Sequence, residues 1–465
     1  MTMEAADVLR DLWSQAGCAP DALDRIDLSG ADPVLPSVFK VGTAASATIG
    51  AAGLAASELW RLRTGRAQEV SLTMRAAAAA FRSERYLSVD DAPPADLWSP
   101  IAGFYRTGDG GWIQLHTNFP HHRDGVLAVL QCDEDRDAVQ QAILGWDGQA
   151  LENALAVAGM CAGMIRSPED WRAHPQAQAL ATLPLFEIIK IGDSEPEPFG
   201  EGDRPLSGIR ALDLTRVIAG PVCGRTLTEH GATVMRIAGP HLPSIAPLVI
   251  DSGRGKLSAH LDLRQTADAD RLRDLARQAD VFIQGYRPGA IAGRGFSPEA
   301  IAALRPGIVY VTLCAYSHAG PWADRRGFDS LVQSVSGIAH ESGRAAGVDG
   351  PKHLPAQALD HATGYLAAFG TMAALARRAT EGGSYLVRVS LAQTGRWIDG
   401  LGRVDGMDHP DMKRSEIGDL IQQSDTPFGR VAHIAPAARL SETPAYWASP
   451  AVPLGTHPPT WPEAA

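Results

Sequence analysis

Residues 358 to 370, ALDHATGYLAAFG, place a single acid, Asp360, at the start of an otherwise small and apolar helix. An aspartate is a good N-cap there, because its carboxylate accepts hydrogen bonds from the free amides of the first turn. That role needs no chemistry. The same position also suits a carboxylate that must stay ionised, because the helix dipole favours negative charge at its N-terminus. Asp360 is therefore the first candidate for a reactive group.

Basic side chains occur in three glycine-bearing turns that follow or precede strand-like segments. These residues are Arg254 and Lys256 in DSGRGK, Arg287 and Arg294 in GYRPGAIAGRG, and Arg325 and Arg326 in WADRRGF. On a chain with a net charge of −11, basic turns at the ends of strands indicate a ligand that carries phosphate groups. The alternative for each of them is an ordinary solvated loop arginine.

Metal sites and serine or cysteine nucleophiles are not supported by the sequence. The histidines His116, His121 and His122 lack the HxxxH spacing, and no cysteine or carboxylate completes a ligand set, so we expect no metal. Cys223 stands at a helix start that would favour a thiolate, but no histidine pairs with it recognisably. There is no GxSxG motif for a catalytic serine.

The second half has the pattern needed to position such side chains. Residues 208–237 show a strand, a Gly-Pro turn, an amphipathic helix and a second strand, and strand-like runs follow at 279–289 and 307–317. Strands that alternate with helices predict a parallel, Rossmann-like sheet, whose ligands lie at the carboxyl ends of the strands. The first strand is not followed by GxGxxG, and GxxxxGK[ST] is missing, so a dehydrogenase and a P-loop nucleotidase are not supported.

The first half predicts a smaller α+β domain and a repeat. A β-hairpin is expected to turn at Gly108–Gly111, before helices that reach about residue 185. Residues 41–72 follow the same order of small-residue helix, turn and strand as residues 359–391. When Gly53 is aligned with Gly370, Thr43 stands opposite Asp360. We interpret this as a degenerate duplication in which only the second copy keeps the acid.

Composition excludes several classes of function. With 465 residues, 45% hydrophobic and 20% charged, the chain is globular and long enough for two or three domains. Its negative charge argues against nucleic-acid binding. Five cysteines without a CxxC pair indicate reduced thiols and a cytoplasmic location. The first twenty residues do not resemble a signal peptide, and apolar runs are shorter than a membrane span, so we expect a soluble protein with no membrane association.

These patterns divide the chain into an α/β architecture, a Rossmann-like parallel-sheet large domain plus a smaller α+β domain. The predicted segments are an N-terminal helical leader (1–40), a degenerate helix-strand copy (41–94), the small α+β domain (95–190), a linker (191–207), the Rossmann-like catalytic domain (208–400) and an extended C-terminal tail (401–465).

Taken in order, several segments resemble the class III CoA-transferases, the family of formyl-CoA and carnitine CoA-transferases. They are SGIRALDLTRVIAGPVCGRTLTEHGATV, DSGRGKLSAHLDLR, ADVFIQGYRPGAIAGRGFSPEAIAALRPGIVYVTLCAYSHAGPWADRRGFDSLVQSVSGI and LDHATGYLAAFG. The resemblance covers residues 205 to 391 continuously. The first half is similar to the family's later region, so the segment order is rearranged.

The resemblance implies that Asp360 is the family's nucleophile, which attacks an acyl-CoA thioester and passes CoA to a carboxylic acid through covalent aspartyl intermediates. It further implies that Arg254, Lys256, Arg287 and Arg326 surround CoA and that Val217, Ile218 and Ala219 line the thioester end of the site. Coenzyme A would enter as a thioester substrate, with no tightly bound cofactor. Family members form interlocked dimers, so a homodimer is expected.

Two departures keep alternatives open. Ala238 stands where the family commonly has an acid after a strand. This missing acid, the duplication and the rearranged order favour, as the second hypothesis, a non-catalytic acyl-CoA-binding or scaffold protein. A related branch of the fold comprises acyl-CoA racemases with a His and Asp pair. Phe328 occupies the position of that histidine, which disfavours an acyl-CoA racemase or isomerase.

Overall fold

The computed structural model describes residues 3–463. In this range the helices are α1 (Ala5–Gln15), α2 (Val41–Thr64), α3 (Met74–Ala80), α4 (Ser83–Tyr86), α5 (Pro120–Leu130), α6 (Arg136–Ile143), α7 (Gly148–Val157), α8 (Pro168–Ala173), α9 (Pro175–Ala181), α10 (Ala219–Glu229), α11 (Ala246–Ser252), α12 (Thr266–Ala276), α13 (Pro298–Leu304), α14 (Asp329–Val335), α15 (Ile338–Ala345), α16 (Ala358–Glu381) and α17 (Leu391–Gly400).

The strands in the same range are β1 (Ile26–Ser29), β2 (Val70–Thr73), β3 (Ser88–Val89), β4 (Gly103–Arg106), β5 (Trp112–Leu115), β6 (Ala162–Met164), β7 (Phe186–Gly192), β8 (Arg210–Leu214), β9 (Thr233–Ala238), β10 (Lys256–His260), β11 (Val281–Gln284), β12 (Val309–Cys314), β13 (Ser384–Ser390), β14 (Ile421–Thr426), β15 (Gly429–Ile434) and β16 (Arg439–Leu440).

The large domain is built on a seven-stranded sheet in the order β10-β9-β8-β11-β12-β13-β7. Its first six strands are parallel, as in the pairing of β11 with β8 and β12. Strand β11 is buried along its whole length, which suits a sheet covered by helices on both faces. Helices α10 and α16 share one hydrophobic cluster with the sheet, and α12 and α13 share another. The predicted α/β class with a Rossmann-like parallel sheet is confirmed.

Strand β7 differs from the predicted division of the chain. Residues 186–190 were expected to end the small domain and 191–207 to form a linker, but β7 (Phe186–Gly192) pairs antiparallel with β13 at the sheet edge. The strand satisfies the backbone groups of β13 that would otherwise be unpaired. Because its partner is about two hundred residues away in the sequence, no local pattern distinguishes it from a strand of the small domain.

The small domain consists of the β4-β5-β6 sheet and the helices α5, α6 and α7. Strands β4 and β5 form an antiparallel hairpin in which Arg106 pairs with Trp112, so the chain turns through Gly108–Gly111. Its own core is formed by side chains that include Ile101, Tyr105 and Ile113.

Helices α2 and α16 are the long central helices, each of 24 residues, and they pack against each other. Pairing Gly53 with Gly370 aligns both ends of the two helices residue for residue. An aspartate binds the first turn of each: Asp32 accepts from the amides of Gly42 and Thr43, and Asp329 accepts from the amide of Asp360. This shared arrangement supports the proposed duplication.

The two terminal segments contain strands that the sequence pattern did not predict. Strand β1, inside the predicted helical leader, pairs with β2. In the predicted extended tail, β14 and β15 form a hairpin with β3, and β16 pairs with β2. Strands β15 and β16 are stabilised by partners from the first half of the chain, and β1 by a strand beyond helix α2, so local propensity alone does not show them. Among the described residues, none of the helices has the length and apolar character to cross a membrane.

Candidate active site at the start of helix α16

Helix α16 holds Asp360 in its first turn rather than at its N-cap. The helix begins at Ala358, and Gln357 is the N-cap residue, which corrects the expected N-cap role. Asp360 is 7% exposed. One turn further, Gly364 lets α16 approach α10, because a Cβ atom at this position would lie 2.5 Å from the carbonyl oxygen of Ala219. The close helix contact brings Asp360 to the first residue of α10.

The surroundings of Asp360 are rich in negative charge. Burial raises the pKa of Asp360 well above its ordinary value, and the carboxylates of Asp329 and Glu84 raise it further. The backbone N–H of Ala219 opposes these effects and lowers the pKa. Burial also raises the pKa of Asp329, to about 6. Desolvation and like charges thus outweigh the amide at this helix start and shift the pKa of Asp360 upward, opposite to the direction expected from the helix start alone.

Glu84 reaches this cluster from the first half of the chain. It lies on α4, and its carboxylate is 3.0 Å from the Nε2 atom of His361, the residue next to Asp360. Both side chains are buried. The pair therefore ties the first half of the chain to the first turn of α16.

The turn before α10 lies against the same first turn. Val217 adopts a left-handed backbone conformation, with φ of 71°, and it lines both cavities that meet at Asp360. Ala219 lines one of these cavities and Ile218 the other. The structure thus brings the three predicted residues of the VIAGP turn together with Asp360.

A cavity of about 360 Å³ opens on one side of Asp360; we call it the arginine cavity. Its lining includes the predicted Arg287 and Arg326. It also includes Arg325, which the sequence placed in a basic turn without assigning it to CoA, and Arg216, which was not predicted. Positive charge is therefore concentrated close to a buried acid in a chain that is acidic overall.

A second space, the outer cleft, continues from the arginine cavity along the carboxyl ends of the strands. It has a volume of about 400 Å³, and both spaces are lined by Tyr286, Arg287 and Arg326. Its walls combine apolar side chains such as Ile237 with the basic side chain of Arg294. Ligands of open α/β sheets bind at this edge.

Arg254 and Lys256 are not in these spaces. The guanidinium of Arg254 lies 3.0 Å from Asp251 Oδ1 and is covered by the indole of Trp447 at 4.3 Å. The Nζ atom of Lys256 lies 2.7 Å from Asp213 Oδ2. Both basic side chains are buried because they point into the domain at the start of β10, where internal carboxylates neutralise them. This corrects their predicted role as CoA-binding residues.

A third space, which we call the Trp98 cavity, lies on the other side of Asp360. Its volume is about 380 Å³. Asp360, Val217 and Phe328 line both this cavity and the arginine cavity, so the acid stands in the wall between them. Trp98 and His116 come from the first half of the chain, and residues such as Ile218 and Leu248 come from the second. Both halves of the chain therefore form this cavity.

Burial favours the neutral form of two histidines and one cysteine near the site. Burial lowers the pKa of His122 to about 3 and that of His116 to about 3. His122 Nε2 lies 3.1 Å from a guanidinium nitrogen of Arg326, and His116 stacks on Phe328 with ring centroids 3.8 Å apart. Burial raises the pKa of Cys223 to about 12, which disfavours a reactive thiolate. Within residues 3–463 no His, Cys, Asp and Glu side chains form a metal-binding cluster.

Several residues of the site were missed by the sequence interpretation. Arg216 and Tyr286 are each the second residue after the end of a strand, β8 and β11 respectively, so the rule that ligands bind at carboxyl ends of strands could have identified them. Glu84 and Trp98 carried no local signal, because long-range packing of the first half places them beside Asp360.

Comparison with known proteins identifies the family of this chain. The model of CoA-transferase family III matches residues 27–184 and 206–402. The chain belongs to CoA-transferase family III. It is 32% identical over 322 residues to an acetyl-coenzyme A transferase of Hypoxylon pulicicidum, covering 64% of this chain and 54% of that protein.

Two other similarities are shorter. The chain is 31% identical over 209 residues to succinyl-CoA:glutarate CoA-transferase of Mus musculus, covering 42% of this chain and 47% of that protein. It therefore spans about half the length of these relatives. A crystal structure of a hypothetical protein from Mycobacterium tuberculosis is 30% identical, with a TM-score of 0.39 and coverage of 43% of this chain and 58% of that one.

Proposed function

We propose that this protein transfers CoA from an acyl-CoA thioester to a carboxylic acid through Asp360 as a covalent nucleophile. The observation that carries the proposal is the position of Asp360 in the wall shared by the arginine cavity and the Trp98 cavity. A thioester carbon at this wall can have its CoA portion on one side and its acyl group on the other.

The arginine cavity and the outer cleft fit the CoA portion. The phosphates of CoA are strong hydrogen-bond acceptors, and Arg287, Arg294 and Arg326 supply charged donors along the route. Apolar side chains such as Ile237 offer a surface for the adenine ring. CoA enters as a substrate and leaves as a thioester, so the reaction needs no bound cofactor.

In the first step the Asp360 carboxylate attacks the thioester carbon, the carbon–sulfur bond breaks, and CoA thiolate leaves a mixed anhydride behind. The thiolate then attacks the aspartyl carbonyl carbon, which releases the donor acid and forms an aspartyl-CoA thioester. The acceptor carboxylate repeats these two steps in reverse order and leaves with CoA. The transfer of CoA is thereby divided into steps, in each of which the nucleophile attacks an activated acyl group, either a thioester or an anhydride.

The charges around Asp360 favour the first step. A carboxylate with a raised pKa is a more basic nucleophile once ionised, and its attack moves negative charge away from Asp329 and Glu84. The charge passes to the sulfur on the side of the arginine cavity. The N–H of Ala219 can donate to the oxygen on which charge develops in the tetrahedral intermediate.

We further propose a homodimer in the cytoplasm. The five cysteines are all free, which suits a reducing compartment. The cavities are lined by both halves of one chain, so we expect each subunit to carry its own site. Light scattering of the purified protein measures the subunit number.

Exchange of a labelled carboxylic acid into acyl-CoA tests the reaction. Asp360→Asn is expected to lower the exchange rate at least about 10³-fold, because no covalent intermediate can form. Thr43→Val, at the equivalent position of α2, is the matched control and should retain exchange. Retained exchange in Asp360→Asn would contradict the proposal, whereas CoA binding without exchange in the unaltered protein would favour a binding protein.

A further inference from the structure

The Trp98 cavity, on the side of Asp360 opposite the arginine cavity, has a mainly apolar wall. The side chains that form it are Leu97, Trp98, Ile218, Ile245, Leu248 and Phe328. The volume of about 380 Å³ exceeds what an acetyl group or a short linear acyl group fills. Burial of apolar ligand surface against such walls is favourable by roughly 25 cal/mol per Å².

The charged groups that face this cavity are mostly acidic. Glu84, Asp96, Asp329 and Asp360 line it, and Arg85 is the basic side chain beside them. Arg85 is already close to an acid, with its Nε atom 3.6 Å from Glu84 Oε1. A second carboxylate at the far end of an acyl group would enter a region of net negative charge and would lose its hydration there.

Trp98 gives the cavity an aromatic surface that is open to a ligand. It is 37% exposed, although it packs edge-on against His116 at 5.8 Å and parallel to His353 at 6.3 Å. Flat apolar groups pack well against an indole face. His116 is buried and stacked on Phe328, so it adds a neutral ring to the same wall.

From these observations we infer that the Trp98 cavity selects the acyl group, and that it prefers large apolar acyl groups of monocarboxylic acids, such as aromatic or branched ones, over those of dicarboxylic acids. The inference rests on the proposed function, because it assigns a substrate class to the site of CoA transfer.

The test compares phenylacetyl-CoA with succinyl-CoA. Calorimetric binding to the Asp360→Asn protein measures the preference of the cavity without chemistry, and exchange kinetics of the unaltered protein measure it during turnover. We expect phenylacetyl-CoA to bind at least tenfold more tightly and to show at least tenfold higher kcat/KM. Tighter binding of succinyl-CoA, or equal binding of the two, would overturn the inference.

Single-residue variants test which side chains give the cavity its preference for apolar acyl groups. Trp98→Ala should reduce the phenylacetyl-to-succinyl ratio of kcat/KM at least fivefold, while Trp98→Phe, which keeps a ring, should preserve most of it. Glu84→Gln should raise succinyl-CoA exchange relative to phenylacetyl-CoA. An equal effect of Trp98→Ala on both donors would contradict the assignment. If exchange fails with every donor but the binding preference persists, the proposed function fails, and only the preference of the cavity for apolar acyl groups as ligands is supported.

Discussion

Helices α2 and α16 have the same length, pack along each other and are each bound at the first turn by an aspartate. Most of their aligned residues differ, and two of these differences bear directly on the site. Where α16 has Asp360, α2 has Thr43, and where α16 has Gly364, α2 has Ala47. The glycine brings α16 close to α10, and the acid at its start then meets two cavities. The comparison teaches that helix packing supplies a framework common to both copies, and that the acid and the close approach to α10 are present in the copy that carries the candidate site.

The largest expected effect comes from moving the acid between the copies. The double variant Asp360→Asn, Thr43→Asp should remain at least about 10³-fold below the unaltered protein in exchange, because an acid at position 43 lies beside Asp32 and not between the cavities. Exchange kinetics measure this. Recovery of activity in the double variant would show that the first copy can also serve as a site.

The next largest effect is expected from a variant that prevents the close approach of α16 to α10. Gly364→Ala would put a Cβ atom 2.5 Å from the carbonyl oxygen of Ala219, so the helix must move and carry Asp360 with it. We expect kcat/KM to fall by roughly 10²-fold, since small misplacements of reacting groups are costly. The reciprocal control, Ala47→Gly in α2, should lower stability by about 1 kcal/mol and leave exchange nearly intact. Equal losses of activity in both variants would indicate a general packing defect.

The pH dependence of exchange tests the effect of Asp329 and Glu84 on the acid at the start of α16. Because the ionised form of Asp360 is the nucleophile and its pKa is raised by burial, Asp329 and Glu84, kcat/KM should rise with pH through that raised pKa. Glu84→Gln removes one of the negative charges and should move the acid limb to lower pH. A pH–rate profile measures both. If the acid limb does not move, Glu84 does not contribute to the raised pKa of the nucleophile.

The smallest expected effect concerns stability. A carboxyl whose pKa is higher in the folded protein than in the unfolded chain lowers stability as pH rises from the unfolded to the folded value. Asp360→Asn should therefore match the unaltered protein near pH 3 and become progressively more stable than it as pH rises to 8. Chemical denaturation at both pH values measures the difference. A constant difference across pH would contradict the raised pKa of Asp360.

The sequence predicted the parts of the fold that local patterns encode. The parallel strands of the large sheet, the hairpin through Gly108–Gly111 and the paired helices α2 and α16 all follow from periodicity and turn residues. Strand β7 was assigned to the small domain, and β16 was not predicted, because each depends on a distant partner.

The candidate site shows the same limit. Asp360, Arg287 and Arg326 were identified from helix position, turn chemistry and family resemblance, and all three line the arginine cavity. Arg254 and Lys256 look equivalent in sequence, yet buried aspartates neutralise both. A turn pattern shows that a charge is present but not which way its side chain points. The acidic environment of Asp360 was also missed, since Glu84 comes from the other half of the chain.

The central claim is that Asp360 carries the acyl or CoA group covalently. The most direct measurement incubates the protein with acyl-CoA donors and hydroxylamine, which captures an anhydride or thioester as a stable hydroxamate, followed by mass spectrometry of the peptide that contains residue 360. We predict a hydroxamate on Asp360, present with the Thr43→Val control and absent from Asp360→Asn. No hydroxamate with a donor that the protein exchanges, or a hydroxamate on a different carboxylate, would contradict the claim.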